Sequence, residues 1–328
     1  MRKIRRRKNS VRSIIILSML CFVTMGIGYS YLQETLNVHV QVTKKDQRID
    51  ITEDVVTSGS GLYQDSYEYG RYVYRGSEPN NYIQFNDELW RIIAKETDGT
   101  YKVVSDKWLS NYSFDDSNHR KTENNTYCIS SQRGCNVYGH IDGTYEFAGN
   151  SGTVTEDSSL AIYLNDGYYN GLTDTAKEQI QTHAFNIGGI MSKDDDTLEE
   201  NIAAERAYTW TGNVGILNTT DTLRSSLDPN CTSVSKDYKT KENCINNYLR
   251  ENPYYDFYWT MNGAANGSYN TDYNLVWLLQ YDYSNKEMSV TDRFANNLYP
   301  VRPVVYLKAD IQFIDGNGTQ SDPYIITL

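Results

Sequence analysis

The chain has 328 residues, with 31 Lys and Arg against 42 Asp and Glu, and its formal net charge is -11. This acidic balance argues against a nucleic-acid binder, whose binding face needs a basic patch. Aromatic residues make up 13% of the chain and only 6 residues are Pro, a composition that excludes a disordered protein. The length is sufficient for one large domain, or two ordinary ones, with a hydrophobic core.

The N-terminal residues differ in charge from the rest of the chain. Residues 1–12 hold seven Lys and Arg and no acid, which leaves 24 basic against 42 acidic residues, a net charge of -18, for the remainder. The next 20 residues, 13–32, carry no charge. At about 1.5 Å per residue, they span roughly 30 Å as a helix, which is the thickness of the hydrocarbon core of a bilayer.

These two segments predict a single-pass membrane protein. A basic flank stays in the cytoplasm, so 1–12 is the predicted cytoplasmic tail, 13–32 the predicted transmembrane anchor, and the C-terminal part is expected outside the cell. The single apolar run excludes a polytopic membrane protein. A cleaved secretory signal is the alternative, because Gly26 and Gly28 are small residues spaced like a cleavage site, and the protein would then be secreted.

Residues 33–60 are predicted to be a stalk that contains one strand. Apolar residues alternate with polar ones from Leu36 to Val42, which is the two-residue period of a strand. Residues 44–60 are mostly polar and are typical of a linker. The extracytoplasmic globular domain is therefore expected over residues 61–328.

The first half of this domain is rich in predicted strands. Short apolar and aromatic runs indicate strands at 72–74, 82–85, 89–94 and 101–104. Asp98-Gly99, between the last two strands, is typical of a hairpin turn. The polar residues 110–157 are expected to form a long surface loop.

Helical signals follow, and strands return after them. Ser158 and Thr173 are expected N-caps, and the acidic run 194–196 precedes a predicted helix at 198–207. The later predicted strands are 214–217, 257–261, 275–279, 301–307 and 324–326. The order of strands, then helices, then strands predicts an α+β fold rather than βαβ repeats.

Four of the five cysteines follow the predicted anchor and are expected in an oxidising compartment. Of their three possible pairings, the local ones, Cys128 with Cys135 and Cys231 with Cys244, are favoured because each pair brackets a polar loop. A metal site is the alternative, but neither pair has the CxxC spacing that zinc sites favour. We therefore predict two disulfides.

Several sequence strings resemble a known family. They are NYIQFNDELWRII at 81–93, YLN at 163–165, WTGNVGIL at 210–217, VRPVVYLKAD at 301–310 and DGNGTQSDPY at 315–324. In this order they resemble a domain of unknown function in surface and secreted proteins of Gram-positive gut bacteria, over residues 61–328. Such domains look like relatives of the C-type-lectin-like fold, in the branch with formylglycine-generating-enzyme-like domains. The resemblance implies a C-type-lectin-like mixed sheet with short helices and long loops.

No catalytic residue is predicted. The four His sit in no HExxH motif, and the sequence has no GxSxG, P-loop or GxGxxG segment. Calcium is the one possible cofactor, because Asp315, Asn317 and Asp322 offer closely spaced oxygen ligands in one loop. The alternative is a tight turn in which Gly316 and Gly318 supply positive φ, and the absence of an EF-hand pattern favours the turn.

Tyr-rich segments are the remaining signal for ligand binding. The predicted ligand contacts are Tyr255, Tyr269, Tyr273 and Tyr281. Tyr residues interspersed with polar ones offer a large, rigid surface and a polar hydroxyl, which suits sugars and protein partners. The alternative is that these side chains pack in the core.

Four further residues are predicted to be structural. They are Trp90, Trp259, Trp277 and Arg302. The tryptophans are expected in the core of the sheet. A buried guanidinium must be paired, so Arg302 is expected to form an ion pair or to stack on Trp90 or Trp259.

The sequence therefore predicts a cell-surface module that recognises a glycan or protein ligand outside the cell without catalysis. A structural or assembly component of the envelope is one alternative, and a glycan-acting enzyme is another. Two facing carboxylates in a cleft would favour the enzyme. A large flat apolar patch would favour assembly.

Overall fold

The described part of the molecule begins at Arg48. The computed structural model describes residues 48–192, 197–232, 244, 247–250, 257–266, 273–282 and 287–328. Residues from Arg48 to Leu328 group into one compact unit. The predicted tail, the predicted anchor and the predicted strand from Leu36 to Val42 lie outside the described residues. Within the described ranges, no helix has both the length and the apolar character needed to cross a membrane.

Strands make up most of this unit. The first ten are β1 (Gly61–Gln64), β2 (Tyr72–Arg75), β3 (Tyr82–Phe85), β4 (Glu88–Lys95), β5 (Tyr101–Ser105), β6 (Leu109–Ser113), β7 (Ile141–Phe147), β8 (Asn150–Val154), β9 (Ile180–Gln181) and β10 (His183–Asn186). The others are β11 (Ile190–Ser192), β12 (Thr209–Gly212), β13 (Phe257–Asn266), β14 (Leu275–Asp282), β15 (Glu287–Phe294), β16 (Leu298–Val301), β17 (Val304–Leu307), β18 (Gln312–Asp315) and β19 (Tyr324–Thr327). The predicted strands between residues 72 and 104 are confirmed.

The helices are short. They are α1 (Ser159–Ile162), α2 (Asp174–Gln179), α3 (Leu198–Arg206) and α4 (Thr219–Arg224). A π-helix, Tyr163–Tyr168, continues α1, and single 3-10 turns occur at Ile51–Asp54, Tyr169–Gly171 and Tyr248–Arg250. The described chain is thus a mixed α+β fold with mostly strands and curled sheets, which confirms the predicted class.

The helix starts follow from side-chain caps. The hydroxyl of Ser158 accepts a hydrogen bond from the backbone N–H of Ala161, and Thr173 caps α2 in the same way. Both predicted caps are confirmed. Thr197 and Glu200 form a capping box at the start of α3, in which each side chain accepts from the other residue's backbone N–H. The acidic run 194–196 lies outside the described residues.

The main sheet has nine strands. Seven follow the order β18-β19-β3-β4-β5-β17-β9, and β1 and β2 branch from β4. β19 runs parallel to β3, whereas β3, β4, β5 and β17 pair antiparallel. From Trp90 to Ala94 every residue of β4 is buried. This continuous burial explains why these residues are apolar apart from Arg91, because both faces of the strand are covered.

The branch at β4 forms what we call the sheet fork. β5 pairs along one edge of β4, so β3 and β2 share its other edge, with β3 on Glu88–Arg91 and β2 on Ala94–Lys95. Asn81 closes the fork between them. Its side-chain Nδ2 donates to the carbonyl of Ile92 at 2.7 Å, and its own carbonyl accepts from the N–H of Ile92 at 2.8 Å.

A second sheet of four strands has the order β11-β13-β14-β15. It carries its own apolar cluster, in which Trp277 and Leu279 pack with Leu223 of α4. The indole N–H of Trp277 donates to the carbonyl of Ile190 at 3.0 Å, which ties β14 to β11. Three two-stranded ribbons, β10-β12, β16-β6 and β7-β8, complete the described fold.

The predicted loop at 110–157 was partly wrong, because this region contains the end of β6 and the β7-β8 hairpin. In β7, Ile141, Tyr145 and Phe147 are buried while the residues between them are mostly exposed. Asp142, Thr144 and Glu146 occupy exposed positions between the buried residues. The segment as a whole is therefore polar, which concealed its strand pattern in the sequence. The segment still contains irregular turns around the first disulfide.

Two further boundaries need correction. The predicted strand at 214–217 is absent, and a single bridge joins Gly215 to Val304. Val214 is fully buried although it belongs to no strand. The apolar residues at 214–217 therefore reflect packing in the core and not membership of a sheet. The folded unit also starts before residue 61, because Ile49 bridges to Phe313 and Ile51 is 1% exposed. Residues 48–60 therefore pack as part of the unit, not as a polar linker.

Candidate functional site

The sheet fork opens into a groove with a volume of about 500 Å³. Ligand sites in proteins typically enclose a few hundred to about a thousand cubic ångströms, so this groove has sufficient volume for a small ligand. One wall comes from the β1-β2 hairpin and the chain before it. The other wall comes from the turn between β18 and β19 and from the chain before β3. We call this site the fork groove.

The hairpin wall combines buried and polar groups. Leu62 of β1 and Tyr74 of β2 are buried in the core and reach the groove from below. Asp54 ends the 3-10 turn at Ile51–Asp54, which starts where the carboxylate of Asp50 accepts from the N–H of Thr52. The turn is anchored because Ile51 is buried, so Asp54 projects from a fixed backbone.

Hydrogen bonds fix the polar lining residues on both walls. The hydroxyl oxygen of Ser60 accepts from the N–H of Glu78 at 3.2 Å. On the opposite wall, the side-chain oxygen of Asn317 accepts from the N–H and the hydroxyl of Thr319, at 3.1 and 2.7 Å. These lining groups are therefore held in place before any ligand arrives.

The electrostatic environment of the fork groove is negative. Burial raises the pKa of Tyr74 well above its usual value, and the nearby Tyr324, Tyr248 and Asp54 raise it further. Burial also raises the pKa of Tyr324, with Asp54 as the next cause. Burial and the nearby carboxylate of Asp54 both disfavour ionisation of these two phenols.

The predicted calcium loop lies at the edge of this groove. Gly316 and Gly318 both have positive φ, at 84° and 75°, and a Cβ at Gly316 would lie 2.1 Å from the carbonyl of Pro323. The N–H of Asn317 donates to the carbonyl of Asp322 at 3.1 Å. The loop therefore has the internal hydrogen bonds of a tight turn.

The candidate calcium ligands of this loop are partly engaged within the turn. The side-chain oxygen of Asn317 already accepts two hydrogen bonds from Thr319. Among the residues that the structure describes, no group of three or more His, Cys, Asp or Glu side chains is placed to hold a metal ion. Of the three candidate calcium ligands, Asn317 lines the fork groove, while Asp315 ends β18 and Asp322 lies in the turn.

The structure describes the predicted tyrosine contacts only in part. Tyr255 and Tyr269 fall outside the described residues. Tyr273 is half-buried, packs against the main core, and its ring lies 6.3 Å from that of Tyr127. Tyr281 is in β14, where its backbone pairs with Met288, and only its backbone is described. Of these four, Tyr273 is the one whose side chain is described, and it does not line the fork groove.

The residues predicted to be structural are buried. Trp90, Trp259 and Trp277 are all 0% exposed. Arg302 is also buried, but its partners differ from the expected ones. Its Nε donates to the carbonyl of Ser105 at 2.9 Å and its Nη1 to that of Leu249 at 3.1 Å.

The guanidinium of Arg302 also lies 5.7 Å from the ring centre of Tyr258. Within the described ranges, its partners are therefore backbone carbonyls and one tyrosine, with no carboxylate or tryptophan among them. Backbone carbonyl oxygens satisfy a buried guanidinium without burying a second charge.

Both predicted disulfides are present. Cys128 pairs with Cys135, with their Cα atoms 5.6 Å apart, and Cys231 pairs with Cys244, with a Cα separation of 5.1 Å. All four cysteines are buried. The first disulfide lies beside Asp115, whose carboxylate accepts from the N–H of Cys135 at 2.8 Å.

A buried charge cluster is the main feature that the sequence did not predict. Arg71 donates to Asp65 and to Glu96, each at 2.7 Å, and Lys102 donates to Asp221 at 2.6 Å. Arg224 also bonds Asp65, and Glu205 lies on the far side of Asp221. The cluster residues come from β5, α3, α4, the connection between β1 and β2, and the residue after β4, so no local sequence pattern predicts that they meet.

Glu205 is the unusual member of this cluster. Its carboxylate accepts from the N–H of Thr220 at 2.8 Å and from the hydroxyl of Thr220 at 2.5 Å. Burial raises the pKa of Glu205 to about 7, and the neighbouring Asp221 adds to the increase, while Thr220 and Lys102 oppose it. Asp221 keeps its charge because Lys102 and Arg71 outweigh the effect of burial, and its pKa is lowered.

The strings that carry the family resemblance have structural roles. The side-chain oxygen of Asn165, in the π-helix, accepts from the N–H groups of Asn213 and Val214, at 3.0 and 3.1 Å. The indole N–H of Trp210 donates to Asp157 at 2.9 Å. These contacts tie the WTGNVGIL string to the fold. No protein-family model, curated protein or solved structure matches the chain.

Proposed function

We propose that this chain is a surface-exposed, membrane-anchored recognition protein that binds a polar ligand, a glycan in the first instance, in the fork groove without transforming it. The observation that carries the proposal is the groove itself, a cavity of about 500 Å³ at the fork of the main sheet, lined by both polar and apolar groups. Preorganised polar groups favour binding, because less conformational freedom is lost when the ligand arrives.

Support for a location outside the cytoplasm comes from the cysteines. Two disulfides are typical of proteins in oxidising compartments and rare in the cytosol. The basic residues 1–12 and the uncharged residues 13–32 provide the orientation expected for a C-terminal domain outside the cell. If the apolar segment is cleaved, the same domain is released.

The proposal includes a lectin-like architecture, on the basis of the family resemblance. A mixed sheet, short helices and irregular connections are compatible with it. In such folds, loops at one end of the sheet commonly bind the ligand. In this chain the turn that includes Gly316 and Asn317 forms one wall of the fork groove, and we therefore place the ligand there rather than at the tyrosines.

A glycan array with the oxidised full chain, purified in mild detergent, tests the proposal. We expect saturable binding to a defined set of glycans, measured with calcium and again with a chelator. Asn80→Trp fills the groove edge and should abolish this binding. Asn111→Trp is the matched control, because Asn111 is equally exposed but lies in β6, away from the groove.

Absence of binding to any glycan would refute the glycan assignment. Equal binding by the Asn80→Trp and Asn111→Trp variants would place the ligand away from the fork groove. Loss of binding in the presence of the chelator would show that binding requires a metal ion, and would favour calcium binding by the loop between Asp315 and Asp322. Thermal unfolding of both variants shows whether the substitutions disturb the fold.

A further inference from the structure

We propose that the fork groove selects glycans that carry free amino groups, that is, amino sugars in their protonated form, over the same sugars in N-acetylated form. This inference rests on the proposed binding function and specifies its ligand. It is argued from the charges, the hydrogen-bonding groups and the exposure of the lining residues.

The first observation is the sign of the charges in the groove. Asp54 and Glu78 both line it, and both are exposed at its surface. Among the lining residues in the described part of the chain, no Lys, Arg or His is present. Within the same described part, neither Asp54 nor Glu78 takes part in a salt bridge. A cationic ligand would therefore meet two carboxylates at the surface of the groove.

The second observation is the field felt by the buried phenols. Tyr74 and Tyr324 reach the groove from below, and Asp54 raises the pKa of each. Both phenols therefore lie within the electrostatic influence of the Asp54 carboxylate. An ammonium group placed near this carboxylate gains Coulomb energy, and an anionic sugar loses it.

The third observation favours a sugar over a lysine-rich peptide. Besides the carboxylates, the polar lining consists of amide and hydroxyl groups, from Asn80, Asn317 and Ser60. Amides and hydroxyls can both donate and accept hydrogen bonds, and sugar hydroxyls need partners of this kind. The ammonium group of a lysine side chain is a donor only, so it cannot accept hydrogen bonds from the amide N–H groups of Asn80 and Asn317, whereas a sugar hydroxyl can.

Isothermal titration calorimetry with the full, oxidised chain provides the test. The probes are a β-linked glucosamine tetramer, the N-acetylated form of the same tetramer, and tetralysine. We expect the glucosamine tetramer to bind at least about tenfold more tightly than its N-acetylated form, since one charge-assisted hydrogen bond is worth at least this factor. It should also bind more tightly than tetralysine, whose ammonium groups cannot accept hydrogen bonds from the amides of the lining. Its affinity should decrease as salt is added, because surface charges are screened.

Variants locate the effect. Asp54→Asn and Glu78→Gln preserve side-chain shape and remove charge, so each should reduce the preference for the glucosamine tetramer roughly tenfold. Glu53→Gln is the matched control, because Glu53 is an exposed neighbour of Asp54 in the same turn but does not line the groove. It should bind as the wild type does.

The outcomes separate this inference from the proposed function. If the N-acetylated tetramer binds as tightly as the glucosamine tetramer, the preference for amines is overturned, while glycan binding stands. If tetralysine binds more tightly than either sugar, the ligand is a cationic peptide and the sugar assignment is overturned. If the affinity of the wild type for the glucosamine tetramer does not change with salt, charge does not determine the preference. This test uses no variant, so it remains valid if a variant fails to fold.

Discussion

The Glu205→Gln substitution provides a direct test of the buried charge cluster. Glu205 is 3% exposed on α3, and its carboxyl group sits between Thr220 and the charged Asp221. Gln preserves the size of the side chain and an oxygen that can accept from the N–H of Thr220. The substitution therefore removes the titration of residue 205 while retaining most of its packing.

The size of the effect follows from the pKa. The pKa of Glu205 rises from an ordinary value of 4.5 to about 7 in the folded protein, mainly through burial. An acid whose pKa is raised binds more protons in the folded state, so the free energy of unfolding decreases as the pH rises from about 4.5 to above 7. At about 1.4 kcal/mol per pKa unit, the full loss is on the order of 3 kcal/mol.

Urea unfolding at a series of pH values measures this loss. Between about pH 5 and pH 8, the wild type should lose roughly 2–3 kcal/mol more stability than Glu205→Gln. Glu199→Gln is the control, because Glu199 is exposed on the same helix and should leave the pH dependence unchanged. If the wild type and Glu205→Gln have parallel stability curves over this range, the carboxyl group of Glu205 is ionised in the folded protein and the reasoning is wrong.

Three further predictions concern other parts of the fold. Replacing Cys128 and Cys135 with Ser should lower the free energy of unfolding by about 2.5 kcal/mol through loop entropy, and an unchanged urea midpoint would contradict this. Burial opposes the ionisation of the Asp115 carboxyl group, but the charge of Arg120 outweighs burial, so the pKa of Asp115 is lowered. The ionised carboxylate therefore stabilises the fold above its ordinary pKa, and this stabilisation is lost as the pH falls. Asp115→Asn should make the free energy of unfolding less dependent on pH in the acidic range. Asn165→Ala leaves two backbone N–H groups without their acceptor and should cost about 2–3 kcal/mol in the same assay, whereas a cost near zero would show that other groups replace it.

The elements that could be predicted are those that local sequence determines. The strands between residues 72 and 104 combine apolar alternation with the Asp98-Gly99 turn, where Gly99 has a φ of 88°. Ser158 and Thr173 cap the helices that follow them, because capping depends on residues only three positions apart. Both disulfides were predictable from the polar loops that each pair encloses.

The sites could not be predicted because they join distant segments. The fork groove requires β2 and β3 to diverge along one edge of β4, and its second wall comes from Asn317, more than two hundred positions after Tyr74. Similarly, Lys102 meets Asp221 across 119 positions. Aromatic content drew attention to the tyrosines near residue 270, although Tyr273 packs against the core.

The place of β19 in the main sheet constrains how this protein can be made. Its residues Tyr324 and Ile325 pair in parallel with Ile83 and Gln84 of β3, and its other edge pairs with β18. During synthesis, β3 and β4 are therefore available long before the strand that covers the free edge of β3. Until Tyr324–Thr327 arrive, that edge is a template for pairing with other chains. Correct assembly of the main sheet therefore depends on keeping this edge of β3 unpaired with other chains until β19 has been synthesised.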